Sequence, residues 1–162
     1  MNRIAALLLA VTLVGAEAQA SGLHSFQRHE LQQACRVAQK YDLCRTTPAI
    51  VLQESSACVQ RVSKIDHASA GCMGLHLSTA RMFDPHVTRY ELIHDNRRNI
   101  RDGVAFLVYC KRHTRTWAMG VRCFHVGLPQ ERRIEACFVS LKLARSDAEF
   151  SPYVVKIKER MK

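Results

Sequence analysis

The sequence predicts an all-α single domain, on three observations. Apolar residues recur at spacings of three and four along most of the 162 residues. No stretch alternates polar with apolar residues for long enough to make a strand. Glycine and proline are scarce, at seven and four, which disfavours a turn-rich β fold and excludes collagen-like or low-complexity sequence. A chain of this length buries about two-thirds of its unfolded surface, enough for a real core.

The elements follow in order. Arg3 and the apolar run Ile4 to Val14 precede Ala18-Gln19-Ala20, the pattern of a secretory signal peptide over residues 1–20. The mature domain is then residues 21–162, starting at Ser21 and expected in the periplasm or outside the cell, with an uncleaved anchor as the alternative. The run is too short to span a bilayer, and no other stretch is apolar enough to try. Leu31, Ala34, Cys35, Ala38 and Tyr41 mark a first amphipathic helix. Thr47 as cap and Pro48 at the first position start a second, whose Ala49-Ile50-Val51-Leu52 is apolar on every face and belongs in the core. Residues 62–76 read as a loop. Ser78 caps a short helix over residues 79–83, ended by Asp84-Pro85. Asp95 or Asn96 opens a long helix with Ile100, Val104, Leu107 and Val108 in one stripe. Thr116 precedes a helix through Trp117, Val121 and Phe124, stopped by Gly127-Leu128-Pro129. Ile134, Cys137, Phe138 and Leu141 mark another, and Ser151-Pro152 starts a last basic one.

Seven cysteines (Cys35, Cys44, Cys58, Cys72, Cys110, Cys123, Cys137) in an exported chain are expected to form disulfides, with at least one left over. Cys35 with Cys44 and Cys58 with Cys72 are candidate pairs because short loops join them; sequence alone does not choose the connectivity. Without a C-x-x-C pair a zinc site is disfavoured, and no metal or cofactor is expected. Lys and Arg exceed Asp and Glu by 24 to 14, a net charge of +10 that suits an acidic partner. The basic clusters Arg97-Arg98, Lys111-Arg112-His113, Arg132-Arg133 and Lys156-Ile157-Lys158 are separated. They read as a solvated basic face, and together with export they argue against nucleic acid.

Glu54 is the residue that carries chemistry. It stands at the end of the most apolar helix, where lost hydration raises the pKa of a carboxyl group. Moved from about 4.3 towards about 6, such a group holds a proton near neutrality and serves as a general acid. The bland alternative is a helix-end glutamate turned to solvent.

Ala49 to Ser56, with its Glu54-Ser55 ending, resembles the signature helix of the soluble lytic transglycosylases, the goose-lysozyme-like family that cleaves peptidoglycan. Gly71-Cys72-Met73-Gly74-Leu75, running into Ser78-Thr79-Ala80, is similar to that family's Gly-x-Met-Gln-(Ile/Val) segment and Thr-Ala helix. Asn99-Ile100, Gly103 and Phe106-Leu107 resemble its N-I-x-x-G-x-x-(Tyr/Phe)-Leu helix. Cys123-Phe124-His125-Val126-Gly127 falls where the family has Ala-Tyr-Asn-x-Gly. The resemblance covers about residues 31 to 129 and implies a lysozyme-like fold, peptidoglycan glycan strands as substrate and no cofactor. It implies Glu54 as acid and base, Ser55 as its support, and a sugar groove lined by Met73, Gly74, Leu75, Phe124 and His125. Gly74, Phe124 and His125 depart from the family's glutamine, tyrosine and asparagine. His125 can replace a lost donor, since imidazole offers an N–H.

The resemblance implies cleavage of the MurNAc-β-1,4-GlcNAc bond by one carboxylate with closure of a 1,6-anhydro ring. The alternatives are a goose-type lysozyme using Asp66 to hold water, a weakened glycan-binding envelope protein, and a cationic, disulfide-stapled envelope-disrupting or structural protein. The resemblance implies a setting in wall remodelling, envelope secretion machinery, or phage lysis or entry.

Overall fold

A computed structural model describes residues 23–63, 67–127 and 151–162. The signal peptide, Asp66, Arg132-Arg133, Cys137 and the helix expected around residues 134–141 lie outside the described residues. The described residues are mostly helical and contain no strand, only isolated bridges between Val62 and Ala70 and between Ala70 and Leu75. The helices are α1 (Ser25–Ala38), α2 (Thr46–Ser55), α3 (Leu77–Arg81), α4 (Arg89–His94), α5 (Asn96–His113), α6 (Trp117–Val126) and α7 (Pro152–Arg160), with a 3-10 turn over Gln39–Tyr41.

Three helix starts obey the expected chemistry. Asp95 caps α5 by accepting from the Arg98 N–H, and Thr116 caps α6 by accepting from that of Met119. Pro152 occupies the first turn of α7, where its missing N–H costs nothing. Two starts differ from expectation. α2 begins at Thr46, so Pro48 is its third residue, still within the turn whose N–H groups lack helical partners. Thr47 therefore caps nothing, and its buried Oγ1 has no hydrogen-bond partner. α3 begins at Leu77 behind His76, with Ser78 inside it. Helix α4 was not foreseen, although Thr88 and Glu91 form a reciprocal capping box.

α5 is the hub, packing against α1, α3, α4 and α6, while α2 packs between α1 and α7. One buried apolar cluster draws on every helix, with Ala34, Ile50, Val51, Ala80, Leu92, Ile100, Leu107, Val121 and Ile157 nearly free of solvent. Ala49, Ile50 and Val51 make α2 the core helix its composition demands. Its start is tied to α6 by Trp117, whose indole N–H donates to Thr46 Oγ1 at 3.1 Å.

Both short-loop pairs are joined, Cys35 to Cys44 and Cys58 to Cys72, and Cys110 is joined to Cys123 across the packed helices α5 and α6. These three bridges belong to an oxidising environment. No described helix is long and apolar enough to cross a membrane.

Non-reducing peptide mapping of the oxidised protein should therefore recover these three pairs. The double substitution Cys110→Ser with Cys123→Ser should cost about 3 kcal/mol, the usual figure for a loop of this length. An unchanged denaturation midpoint would contradict the assignment of that bridge as a stabilising staple.

Candidate functional site

Glu54 is the penultimate residue of α2, and its side chain enters a cavity of about 620 Å³ bordered by the ends of α2, α6 and α7 and by the loop before α3. The volume lies in the range of small-ligand sites. Glu54 supplies the single carboxylate among the described residues that line it.

Two opposed effects set the protonation of Glu54. Burial in the cavity wall removes hydration and raises its pKa; a hydrogen bond from Tyr153 lowers it, and burial is the larger effect. The Tyr153 hydroxyl donates to Oε1 at 2.5 Å. Burial, together with the negative charge on Glu54, holds the phenol itself well above its ordinary range, so it remains a donor at any physiological pH. The position of Glu54 in the last turn of a helix adds to the burial effect, because a carboxylate there faces the negative end of the helix dipole.

The second oxygen of Glu54 faces Gly74. A Cβ built on Gly74 would lie 2.9 Å from Oε2, and the backbone there has φ +59°. Glycine thus serves twice, adopting the left-handed turn and leaving space beside the free carboxyl oxygen. With Oε1 occupied by Tyr153, a proton on Glu54 sits on Oε2, next to that space.

The other expected site residues divide into two groups. Leu75, Phe124 and His125 line the cavity with Gly74. Phe124 is nearly buried and packs against Phe106, ring centroids 5.5 Å apart, so it is core that shows one edge to the cavity. His125 is exposed, its ring stacked on Tyr153 at 4.1 Å and 12°, and partial burial holds its pKa below the ordinary value. It makes no hydrogen bond to Glu54; its contact with the carboxyl runs through the Tyr153 ring.

Ser55 and Met73, expected in the groove, lie beneath it. The Ser55 hydroxyl is buried, donates toward the carbonyls of Cys72 and Val51 at 2.8 and 2.9 Å, and accepts from the Cys58 N–H at 2.8 Å. It joins the end of α2 to the glycine turn rather than touching Glu54. Met73 is fully buried against Gly103, with only its backbone at the turn.

The turn itself is fixed from α5. Buried Asn99 accepts from the Met73 N–H at 2.8 Å and donates to the carbonyls of Ala70 and Leu92 at 3.0 and 3.2 Å. Gly71, at φ +76°, lets the chain pass so close that a Cβ would meet Asn99 Nδ2 at 2.1 Å. On the other side of Glu54, Ser56, Ala57 and Cys58 all have positive φ, costly for residues with side chains. They are held by the Cys58–Cys72 bridge, by Ser55 and by Gln27, whose amide donates to the Ser56 carbonyl at 3.1 Å.

Tyr153 is the residue that sequence reasoning missed. It lies 99 positions from Glu54 in the first turn of α7, and nothing local marks it beyond its place on the apolar face with Val154 and Ile157. As for metals, Glu30, Cys58 and Cys72 are close enough to share an ion, but the two sulfurs are joined in a disulfide and unavailable as thiolates. No family model, no curated protein and no solved structure matches the chain.

Because the folded state disfavours its charge, Glu54 should weaken the protein as pH rises through its own raised pKa. Its stabilising share is whole only below the ordinary carboxyl range, about pH 4. Glu54→Gln keeps an oxygen for Tyr153 and carries no charge. Its melting temperature should exceed that of the wild type at neutral pH, with the gap closing towards about pH 4. A variant less stable than wild type at pH 7 would contradict the burial of this carboxyl group.

Proposed function

We propose that the protein is a peptidoglycan lytic transglycosylase of lysozyme-like fold, acting in the periplasm or outside the cell, with Glu54 as general acid and then general base. The observation that carries this reading is a part-buried, tyrosine-held glutamate whose second oxygen faces the glycine turn of a cavity large enough for a sugar. Ordinary glycoside hydrolysis needs two carboxyl groups, one for the leaving oxygen and one for water or the sugar carbon. A single carboxyl group suffices where the substrate brings its own nucleophile. The sequence resemblance to the soluble lytic transglycosylases at Glu54-Ser55, Gly71 to Leu75, Asn99 to Leu107 and Cys123 to Gly127 supports the same reading.

The chemistry follows from the two carboxyl oxygens. Protonated at Oε2, Glu54 donates to the glycosidic oxygen between N-acetylmuramic acid and N-acetylglucosamine. The bond from that oxygen to the muramic C1 breaks and the N-acetylglucosamine leaves as an alcohol. The carboxylate so formed takes the proton of the muramic 6-hydroxyl while its oxygen closes on C1, giving the 1,6-anhydro sugar and returning Glu54 to its acid form. No water is consumed, and the tethered hydroxyl reacts at high effective concentration. Tyr153 stays bonded to Oε1 throughout, favouring the carboxylate once the proton has left. Burial works the other way and keeps the acid form populated beforehand.

The surrounding groups suit a sugar. Leu75, Phe124 and the His125–Tyr153 stack offer apolar faces for pyranose rings, and Gly74 admits the substrate close to Oε2. Ser55 and Asn99 act one step back, as positioning residues for the turn. The excess of basic side chains raises the encounter rate with a wall that carries peptide carboxylates.

Purified peptidoglycan digested with the protein should yield fragments ending in 1,6-anhydro-N-acetylmuramic acid, each lighter by one water than a hydrolytic end. Glu54→Gln should lower turnover by about a hundredfold or more, the scale of a lost general acid, while leaving the protein folded. Hydrated reducing ends would replace the transglycosylase with a lysozyme. Undiminished cleavage by the variant would remove Glu54 from the mechanism, and binding of glycan without cleavage would make the protein a glycan-binding module.

A further inference from the structure

A second cavity, about 980 Å³, is a cleft between α1, the 3-10 turn and the first turns of α5, and it shares no lining residue with the Glu54 cavity. Its walls carry five cationic side chains, Arg36, Lys40, Arg97, Arg98 and Arg101, against two carboxylates, Asp84 and Asp95. Both carboxylates are already engaged. Asp84 Oδ2 takes Arg98 at 2.7 Å and Arg101 at 3.0 Å, and Asp95 caps α5 through the Arg98 N–H. Arg98 is further held by Glu91, so its guanidinium is fixed by two acids.

Three cations then remain without a described acidic partner. Arg36 and Arg97 make no ion pair among the described residues, and Lys40 rests over the Tyr41 ring, 4.8 Å from its centroid. All three are exposed at the cleft. They come from two separate elements, α1 with its 3-10 extension and α5, whose packing brings them to one concavity. The cleft thus gathers part of the chain's basic excess, with three cations beyond those its own acids engage.

We propose that this cleft is a binding site for a phosphate-bearing ligand, separate from the Glu54 site and independent of the activity proposed there. Two guanidinium forks and an ammonium around one concavity match the charge and the several acceptor oxygens of a phosphate better than a lone carboxylate. Val37, Tyr41 and Val104 give the cleft an apolar part, and its volume exceeds what a bare phosphate fills. The cleft therefore has room for a body attached to the phosphate. An anionic lipid headgroup and a soluble or polymer-borne phosphate share that chemistry.

Calorimetric titration of the oxidised protein with pyrophosphate, and co-sedimentation with vesicles of phosphatidylcholine with and without phosphatidylglycerol, test the site at one fixed salt concentration. Two variants of equal charge loss are compared, Arg36→Gln with Lys40→Gln and Arg97→Gln, and Arg112→Gln with Lys156→Gln and Lys162→Gln. Saturable binding that falls about tenfold or more in the first variant and little in the second is the expected result. Cleft-dependent binding to phosphatidylglycerol vesicles, displaced by pyrophosphate, assigns the site to a lipid headgroup. Cleft-dependent binding of pyrophosphate alone assigns it to a soluble or polymeric phosphate. Equal loss in both variants, or no saturable binding of either probe, overturns the proposal.

Discussion

The hydrogen bond between Tyr153 and Glu54 is the interaction around which the site is arranged. A carboxyl group at the end of a core helix has two ways to avoid the cost of burial: turn out to water, or take a proton. The phenol closes the first by holding Oε1 in the cavity, and burial promotes the second. Because the phenol favours the charged form and burial the neutral one, the group is left able to give up a proton and take one back. That balance requires α7 to dock against α2. It does so through Tyr153, Val154 and Ile157 in the core and through Arg160, which donates to Gln53 at 3.0 Å.

A second constraint is the space beside Oε2. The turn through Gly71 and Gly74 must approach Glu54 closely without filling that space, and the fold secures it from three directions. Asn99 holds it from α5, Ser55 from the end of α2, and the Cys58–Cys72 bridge ties it to the left-handed segment that follows the helix. Each is buried, so each polar group is satisfied by a backbone partner rather than by water. The positive φ angles at Ser56, Ala57 and Cys58 are local strain offset by these contacts, as is common beside functional groups.

What is legible in the sequence is what short-range patterns encode. The all-round apolar run Ala49 to Leu52 required a core helix and so placed Glu54 at a buried end. Asp95, Thr116 and Pro152 are helix-start residues whose chemistry is local, and the two short-loop disulfides follow from proximity along the chain. Where a residue depends on distant partners, the sequence was silent or misleading. Tyr153 needs α7 folded onto α2 before its hydroxyl has meaning. Ser55 and Met73 are adjacent in sequence to groove residues and yet face the interior, because a helix and a tight turn send neighbouring side chains in different directions. Thr47-Pro48 fits a helix start equally well one turn position apart, and the local signal does not choose between registers. The clustering of Arg36, Lys40 and Arg97 is equally invisible in a chain where they lie up to 61 positions apart.

Titration of the Glu54 carboxyl carbon by NMR on selectively labelled protein, compared with Tyr153→Phe, reads the balance between burial and the phenol at its source. The midpoint should lie above the ordinary glutamate value of about 4.3 and rise further in the variant, because removing the phenol takes away the hydrogen bond that favours the carboxylate. A Glu54 midpoint at or below the ordinary value, or a downward shift in the variant, would mean that this carboxyl is not held as a buried acid by Tyr153.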